Sequence, residues 1–203
     1  MKETEYADRT ILALRAKYQE KKLEHMPLGE EIPIGTNRIP LYRAVLFDGK
    51  CSIMLPETMT DMDKRECAIK YRDNNRPQII KTDSFYDADM TFCLIPLPAE
   101  STQNISIQLE KMRDDMKRVW KQNVFYDIGE VTAEETTVAW MDCKAFCLEG
   151  SFYSLIFLFP LGNQAVLGNF HCSFPQYDIW KPAVVRLLST IQTGGGEYER
   201  NTD

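Results

Sequence analysis

Apolar residues recur at Ala7, Ile11, Leu14 and Tyr18, while Arg9, Arg15, Lys17 and Glu20 occupy the other positions of the same stretch. Steps of four, three and four keep the apolar set on one stripe, which predicts an amphipathic helix from about Thr4 to Leu23. Between Glu24 and Pro40 the period is lost. Pro27, Gly29, Pro33, Gly35 and Pro40 interrupt any helix there, so residues 25–40 read as a linker or extended arm.

From Leu41 the pattern turns to short apolar runs of strand type. Leu41 to Phe47 and Lys50 to Leu55 flank Asp48-Gly49, a pair that tolerates the positive φ angles of a type I′ turn, and so predict a hairpin. Further strand-like runs are Cys67 to Tyr71, Gln78 to Lys81, Met90 to Ile95, Val124 to Ile128 and Val138 to Leu148. A second hairpin is predicted from Phe152 to Phe159 and Ala165 to Cys172 across Leu161-Gly162-Asn163-Gln164. The run from Phe152 to Phe159 is apolar at both parities, as expected of a strand covered on both faces.

Two later segments return to the helical period. Ile105, Leu109, Met112, Met116 and Val119 share a face, with Lys111, Asp114, Lys117, Arg118 and Lys121 off it. In the last, Ser173 to Gln176 fits a capping box and Ala183, Val184, Leu187, Leu188 and Ile191 form an inward stripe. Pro182 inside this stretch predicts either a kink or a helix that starts near Asp178. Gly194-Gly195-Gly196 ends it, and residues 194–203 read as a polar tail. An antiparallel sheet with helices on both sides is an α+β fold, and a single main domain accommodates it.

Composition narrows the function classes. A net charge of −6 and a pI near 5.1 oppose phosphate-dominated nucleic-acid binding, which needs a cationic face. The first ten residues carry Lys2, Glu3, Glu5, Asp8 and Arg9 rather than the apolar run of a secretory signal, so a cytoplasmic chain is expected. The most apolar stretch, Phe152 to Leu161, is far shorter than the roughly 20 residues of a membrane span, and no membrane association is expected. In a reducing compartment Cys51, Cys67, Cys93, Cys143, Cys147 and Cys172 are expected as six free thiols, most of them small buried hydrophobes in strands.

Certain residues then carry a resemblance: Ser52-Ile-Met-Leu-Pro56, Lys70-Tyr71, Arg76-Pro-Gln-Ile-Ile-Lys-Thr82, Thr91-Phe92, and Gly168-Asn-Phe-His-Cys172 leading to Trp180-Lys-Pro182. Over about Leu41 to Gln192 the chain resembles a group of uncharacterised bacterial proteins with a Mog1/PsbP-like fold, similar also to the DcrB-like proteins. The resemblance implies an α/β/α sandwich around a central antiparallel sheet over residues 41–193, with residues 1–24 as an extra N-terminal helix. It brings no catalytic residue and no cofactor. The better-known relatives of the fold act by binding proteins, which implies a protein partner here.

The candidate chemistry is sparse. Cys143 and Cys147, four apart on one predicted strand, share a face, and His171-Cys172 is a further source of ligands for a thiolate-metal or Cys-dependent site. Zinc needs about four N/S ligands at ~2.0–2.3 Å, whereas neighbours such as His171 and Cys172 point to opposite faces of a regular strand. Buried strand residues are therefore the preferred reading. His25 and His171 are the only bases for a Cys/His pair, and no Gly-x-Ser-x-Gly elbow is present. Gly194 to Gly196 has neither the strand nor the helix of a phosphate cradle. Asp61/Asp63 and Asp87/Asp89 read as solvated acids near turns, and Lys111, Arg113, Lys117, Arg118 and Lys121 as a solvated helix face. Trp120, Trp140 and Trp180 read as core and anchor residues, with a partly exposed strand surface as the alternative for Trp140 beside Asp142 and Lys144.

The reading that follows is a non-enzymatic protein-binding or adaptor domain with no catalytic, cofactor or metal residues. Monomer and homodimer remain equally open. Ile11, Leu14 and Tyr18 are expected to dock the first helix, on its own domain ahead of a second molecule, because wetting large apolar side chains forfeits roughly 1.5–3 kcal/mol each.

Overall fold

The computed structural model describes residues 2–24, 29–73, 75–83, 85, 87–96, 104–148 and 150–194, with the side chains of 2–9, 13, 22 and 24 outside the description. Helix α1 spans Lys2–Glu24, two residues longer at its start than the apolar period predicts.

Residues 31–40 correct the sequence reading, because they are strand rather than arm. β1 (Glu31–Ile34) and β2 (Asn37–Leu46) form a hairpin across a two-residue turn in which Gly35 has φ +62°. Ile32, Ile34 and Ile39 are buried, so a strand alternation lies beneath the prolines. Pro33 is tolerated because β1 is an edge strand whose open side needs no ladder donor. His25 and Pro27, expected in the same arm, lie outside the described residues.

β2 pairs in turn with β3 (Cys51–Pro56). Asp48 and Gly49 carry φ +56° and +87°, and Lys50 N–H donates to Phe47 O at 3.3 Å, so the predicted primed turn forms. A two-residue strand, Gln192–Thr193, completes this four-stranded antiparallel sheet against β3.

After β4 (Thr60–Asp61) the run expected as a strand from Cys67 to Tyr71 is instead the end of a helix and its cap: α2 spans Lys64–Lys70. Asp63 decides this, since its Oδ1 accepts from the N–H groups of Arg65 and Glu66 and so caps the first turn. Strands β5 (Ile79–Asp83), β6 (Ala88–Pro96), β7 (Val124–Ala133), β8 (Thr136–Cys147), β9 (Gly150–Leu161) and β10 (Gln164–Ser173) join β4 in a seven-stranded antiparallel sheet, ordered β4-β5-β6-β10-β9-β8-β7. The strand at Gln192–Thr193 is β11 in chain order.

Both faces of this sheet are covered, as the doubly apolar β9 requires. Helix α3 (Ile105–Val119) lays Ile105 and Leu109 on Ala139, Met141, Leu158 and Ala165. On the opposite face lie α4 (Tyr177–Leu188) and the four-stranded sheet, with Ala183, Val184, Leu187, Leu188 and Ile191 all in the core. The α+β class and the α/β/α layering are thus those expected; the second sheet is an addition. The capping box at Ser173 does not form: its side chain makes no cap hydrogen bond, and a 3-10 turn at Phe174–Gln176 leads into α4. Of the two alternatives for Pro182, the helix begins one residue before Asp178 and continues through the proline. Gly194 is the last residue of the predicted tail within the description, and Gly195 onwards lies outside it. Helix α1 packs outermost, along α4.

Candidate functional site

Three consecutive residues, Trp180-Lys181-Pro182, are buried in α4, which is ordinary for the tryptophan and unusual for the lysine. Lys181 is 1% exposed. Its Nζ lies 2.5 Å from Asp127 Oδ2, 2.9 Å from Asp142 Oδ2 and 3.9 Å from Glu20 Oε1. It also stands 5.3 Å above the ring of Trp140 and 5.6 Å above that of Tyr177.

The strands supply these acids through a local irregularity. The register of β7 against β8 slips between Phe125 and Ile128, a bulge that places Tyr126 and Asp127 opposite Asp142. The Asp127 N–H donates to Asp142 Oδ1 at 2.7 Å, while the Tyr153 hydroxyl donates to Asp142 Oδ2 at 3.0 Å. The Trp140 indole lies flat over β7 because its cross-strand neighbour is Gly129: a Cβ there would fall 2.8 Å from the ring. Trp140, Asp142 and Lys144 are buried, in keeping with the core reading of Trp140 and against the alternative of a partly exposed strand surface.

Burial raises the Asp142 and Glu20 carboxyls above their ordinary range, against the opposing pull of Lys181. For Lys181 burial is the largest single effect and acts downward, but the attraction of Asp142 and Tyr177 and the hydrogen bonds to Asp127 and Asp142 together outweigh it and hold the ammonium charged. A lysine locked in its charged form is neither nucleophile nor base. The cluster is therefore an electrostatic tie between α4, β7 and β8, and Glu20 of α1 stands at its margin, 3.9 Å from Lys181, where burial outweighs the attraction. On one flank of α1, Glu20, Leu23, Trp140 and Val185 line a cavity of about 270 Å³.

A second buried hub lies on the other face of the sheet. Asp89, fully buried, receives Thr82 Oγ1 at 2.7 Å, the Tyr71 hydroxyl at 2.9 Å, Lys70 Nζ at 2.9 Å and His171 Nε2 at 3.2 Å. Burial would raise this carboxyl, but the hydrogen bonds from His171, Lys70 and Thr82 together hold it well below the usual carboxylate range. Lys70 and Tyr71 come from the end of α2, so Asp89 anchors that helix to β6. Asp89 thus departs from the solvated reading, whereas Asp63 is exposed as expected and in addition caps α2. Asp61 pairs with Lys81 at 2.8 Å, and Asp87 is exposed.

The four residues named for thiolate chemistry are not brought together. Cys143 pairs with Ser154 on β9, and Ser154 pairs with His171 on β10, so a whole strand separates Cys143 from His171. At ~4.8 Å per strand that is about 10 Å. Cys172 sits on the core face with Tyr153, and Cys147 is exposed at the end of β8. Burial pushes the Cys51 and Cys143 thiols up to about 11 and that of Cys172 higher still, so these three are not thiolates near neutral pH. Among the described residues no three His, Cys, Asp or Glu side chains converge in a metal-ligand arrangement.

The basic row on α3 behaves as a solvated face, with Arg118 pairing with Asp115. Trp180 is in the core and Trp140 is covered, while Trp120 is exposed beyond α3.

The docking face expected on α1 is inverted. Ala16 and Leu23 are buried, and Leu12 packs against the same core. Ile11, Leu14 and Tyr18 are instead 48%, 63% and 70% exposed. A helix carries more than one apolar row, and the small Ala16 allows the closest approach to α4, so the core side follows Leu12, Ala16 and Leu23. The exposed row lines a groove of about 560 Å³ whose other wall includes Pro33, Gly35, Asp178 and Ile179.

No known protein family and no curated protein matches the chain by sequence. Solved structures do match by shape. Cyanobacterial PsbP (CyanoP) from Synechocystis superposes with a TM-score of 0.54 at 10% identity, covering 83% of this chain and all (100%) of its own. The Ran-binding protein Mog1p of Saccharomyces cerevisiae gives 0.50 at 10% identity, covering 76% of this chain and 96% of its own. A protein from Pseudomonas aeruginosa described as a putative regulator, PA94, gives 0.46 at 6% identity over 78% and 99%. The chain has the Mog1/PsbP-like fold.

Proposed function

We propose that this chain is a non-enzymatic protein-binding domain that docks through the groove between α1 and α4. The observation that carries the reading is the exposed row Ile11, Leu14 and Tyr18 opening onto that groove: a contiguous apolar surface edged by polar residues is the form of a protein-docking face. The state of the buried groups supports it, since Lys181 is held as an ammonium and the covered thiols are held protonated, leaving neither as a nucleophile. The fold adds support by analogy, because the Saccharomyces protein that shares it is Ran-binding.

The test uses Leu14→Asp, a change on an exposed position, in capture experiments from the native cell with the full chain as bait. The expected outcome is a protein, whether another species or an untagged copy of this chain, recovered by the wild type and lost with the variant at unchanged melting temperature. Identical recovery by both overturns the reading.

A further inference from the structure

The groove beside α1 carries features that select one kind of occupant. Leu14 and Tyr18 line the recess between α1 and α4 and are themselves 63% and 70% exposed, so an apolar rim and a recess share one face. A surface that presents both is the form required of an isologous interface, in which the same patch of two copies meets itself about a two-fold axis.

The charges on the two walls obey the same rule. Arg15 stands on the α1 wall and Asp178 on the α4 wall, and neither forms an ion pair with a described residue. Asp178 sits in the first turn of α4, where the helix dipole favours its negative charge. A two-fold axis through the groove would bring each cation to the other copy's anion and satisfy both at once. A partner with a single cationic or a single anionic face would leave one wall unpaired.

We propose that the α1–α4 groove is a two-fold interface that receives α1 of a second copy of this chain, with Arg15 of each copy against Asp178 of the other. The inference rests on the groove being a protein-docking face. It makes the homodimer the unit that presents the rest of the surface to other molecules. The Lys181 cluster lies behind the interface, since Glu20 on the inner side of α1 faces Lys181 at 3.9 Å while Ile11, Leu14 and Tyr18 are exposed.

The charge pairing gives a test that a merely sticky apolar patch would fail. Arg15→Asp and Asp178→Arg are made separately in the full chain, and mass in solution is followed by sedimentation across a concentration series. Each variant alone sets like charges against one another at both ends of the interface, and self-association is expected to weaken by roughly tenfold or more. Mixing the two variants makes both pairs attractive again, so a one-to-one heterodimer is expected to return towards wild-type affinity. Leu14→Glu, which neither the charge swap nor mixing can repair, is expected to remain monomeric in every combination. Should either reversal prevent folding, Leu14→Glu alone decides: a dimer that persists overturns the inference, and its loss at unchanged melting temperature supports it.

A wild type that stays monomeric throughout the series, or a dimer indifferent to both reversals, overturns the inference, as does a mixture of folded variants that stays monomeric. If the wild type is monomeric while Leu14→Asp still abolishes capture of a different protein, only the second-copy occupant fails. If neither association nor capture responds to groove variants, the docking reading fails with it.

Discussion

Two glycines in this fold are defined by the rings that cover them. Gly168 on β10 pairs with Phe157 on one side and Phe92 on the other, and the two rings meet edge-to-face across it at 5.8 Å. A Cβ at Gly168 would fall 2.0 Å from the Phe157 ring, so an alanine forces that ring out of a packed core. Overpacking of this kind costs roughly 1–3 kcal/mol. Gly168→Ala is expected to lower unfolding free energy by about that amount in denaturant titration. Gly168→Ala combined with Phe157→Leu, which trims the ring, should recover part of the loss. An unchanged midpoint for Gly168→Ala would show that the core relaxes more freely than its packing implies. The residue scale also explains what composition concealed: Asp142, Asp89 and Lys181 sit inside apolar segments and are fully covered, yet each is matched by donors or counter-charges. A charged residue in an otherwise apolar run was the available signal, and the Trp180-Lys181-Pro182 sequence carried it.

Among elements, legibility followed the strength of the period. β9 and β10, α3 and α4 were readable because long apolar runs or stripes allow one solution each. The hairpin of β1 and β2 was hidden because Pro33 and Pro40 look like breaks until an edge strand makes them harmless. α2 was hidden because its apolar residues are few, and only the Asp63-x-x-Glu66 cap marks its start. For α1 the period identified the helix and chose the wrong row, since Leu12, Ala16 and Leu23 make a smaller stripe than Ile11, Leu14 and Tyr18. Docking of this helix has a proton dependence with a definite sign. Burial raises the Glu20 carboxyl above its ordinary 4.5, so its contribution to docking is full below that value and is lost as pH rises through the raised one. Asp127 and Asp142 face Glu20 from β7 and β8 and reinforce this, while Lys181 from α4 opposes it at 3.9 Å. Glu20→Gln is therefore expected to keep α1 docked at neutral pH as firmly as the wild type does in mild acid, seen as several-fold slower amide exchange in α1 after correction for intrinsic rates. Faster exchange in the variant at pH 7 would mean that the attraction to Lys181 outweighs the burial penalty.

For the molecule as a whole, the large sheet and the layers on its two faces form the interior, and α1 is an outer layer that carries an exposed apolar row. The six cysteines sample that gradient. Cys51, Cys143 and Cys172 are buried within the sandwich, Cys67 and Cys93 are half-buried, and Cys147 is exposed at the β8–β9 hairpin. Thiol reactivity requires both access and a thiolate, and burial that pushes Cys51 and Cys143 to about 11 removes both together. Titration of the native protein with a chromogenic disulfide at mildly alkaline pH should therefore show Cys147 first, then Cys67 and Cys93 slowly, and the three buried thiols only at the rate of unfolding. In denaturant without reductant all six free cysteines should titrate. A denatured count of two or fewer would mean disulfides, and stoichiometric zinc or iron lost on replacing Cys143 and Cys147 would mean a metal site that this packing does not provide. Equal reactivity of Cys143 and Cys147 in the native state would show that the strand edge opens far more readily than its neighbours, because a closed sheet separates these two residues by burial alone although they share a face.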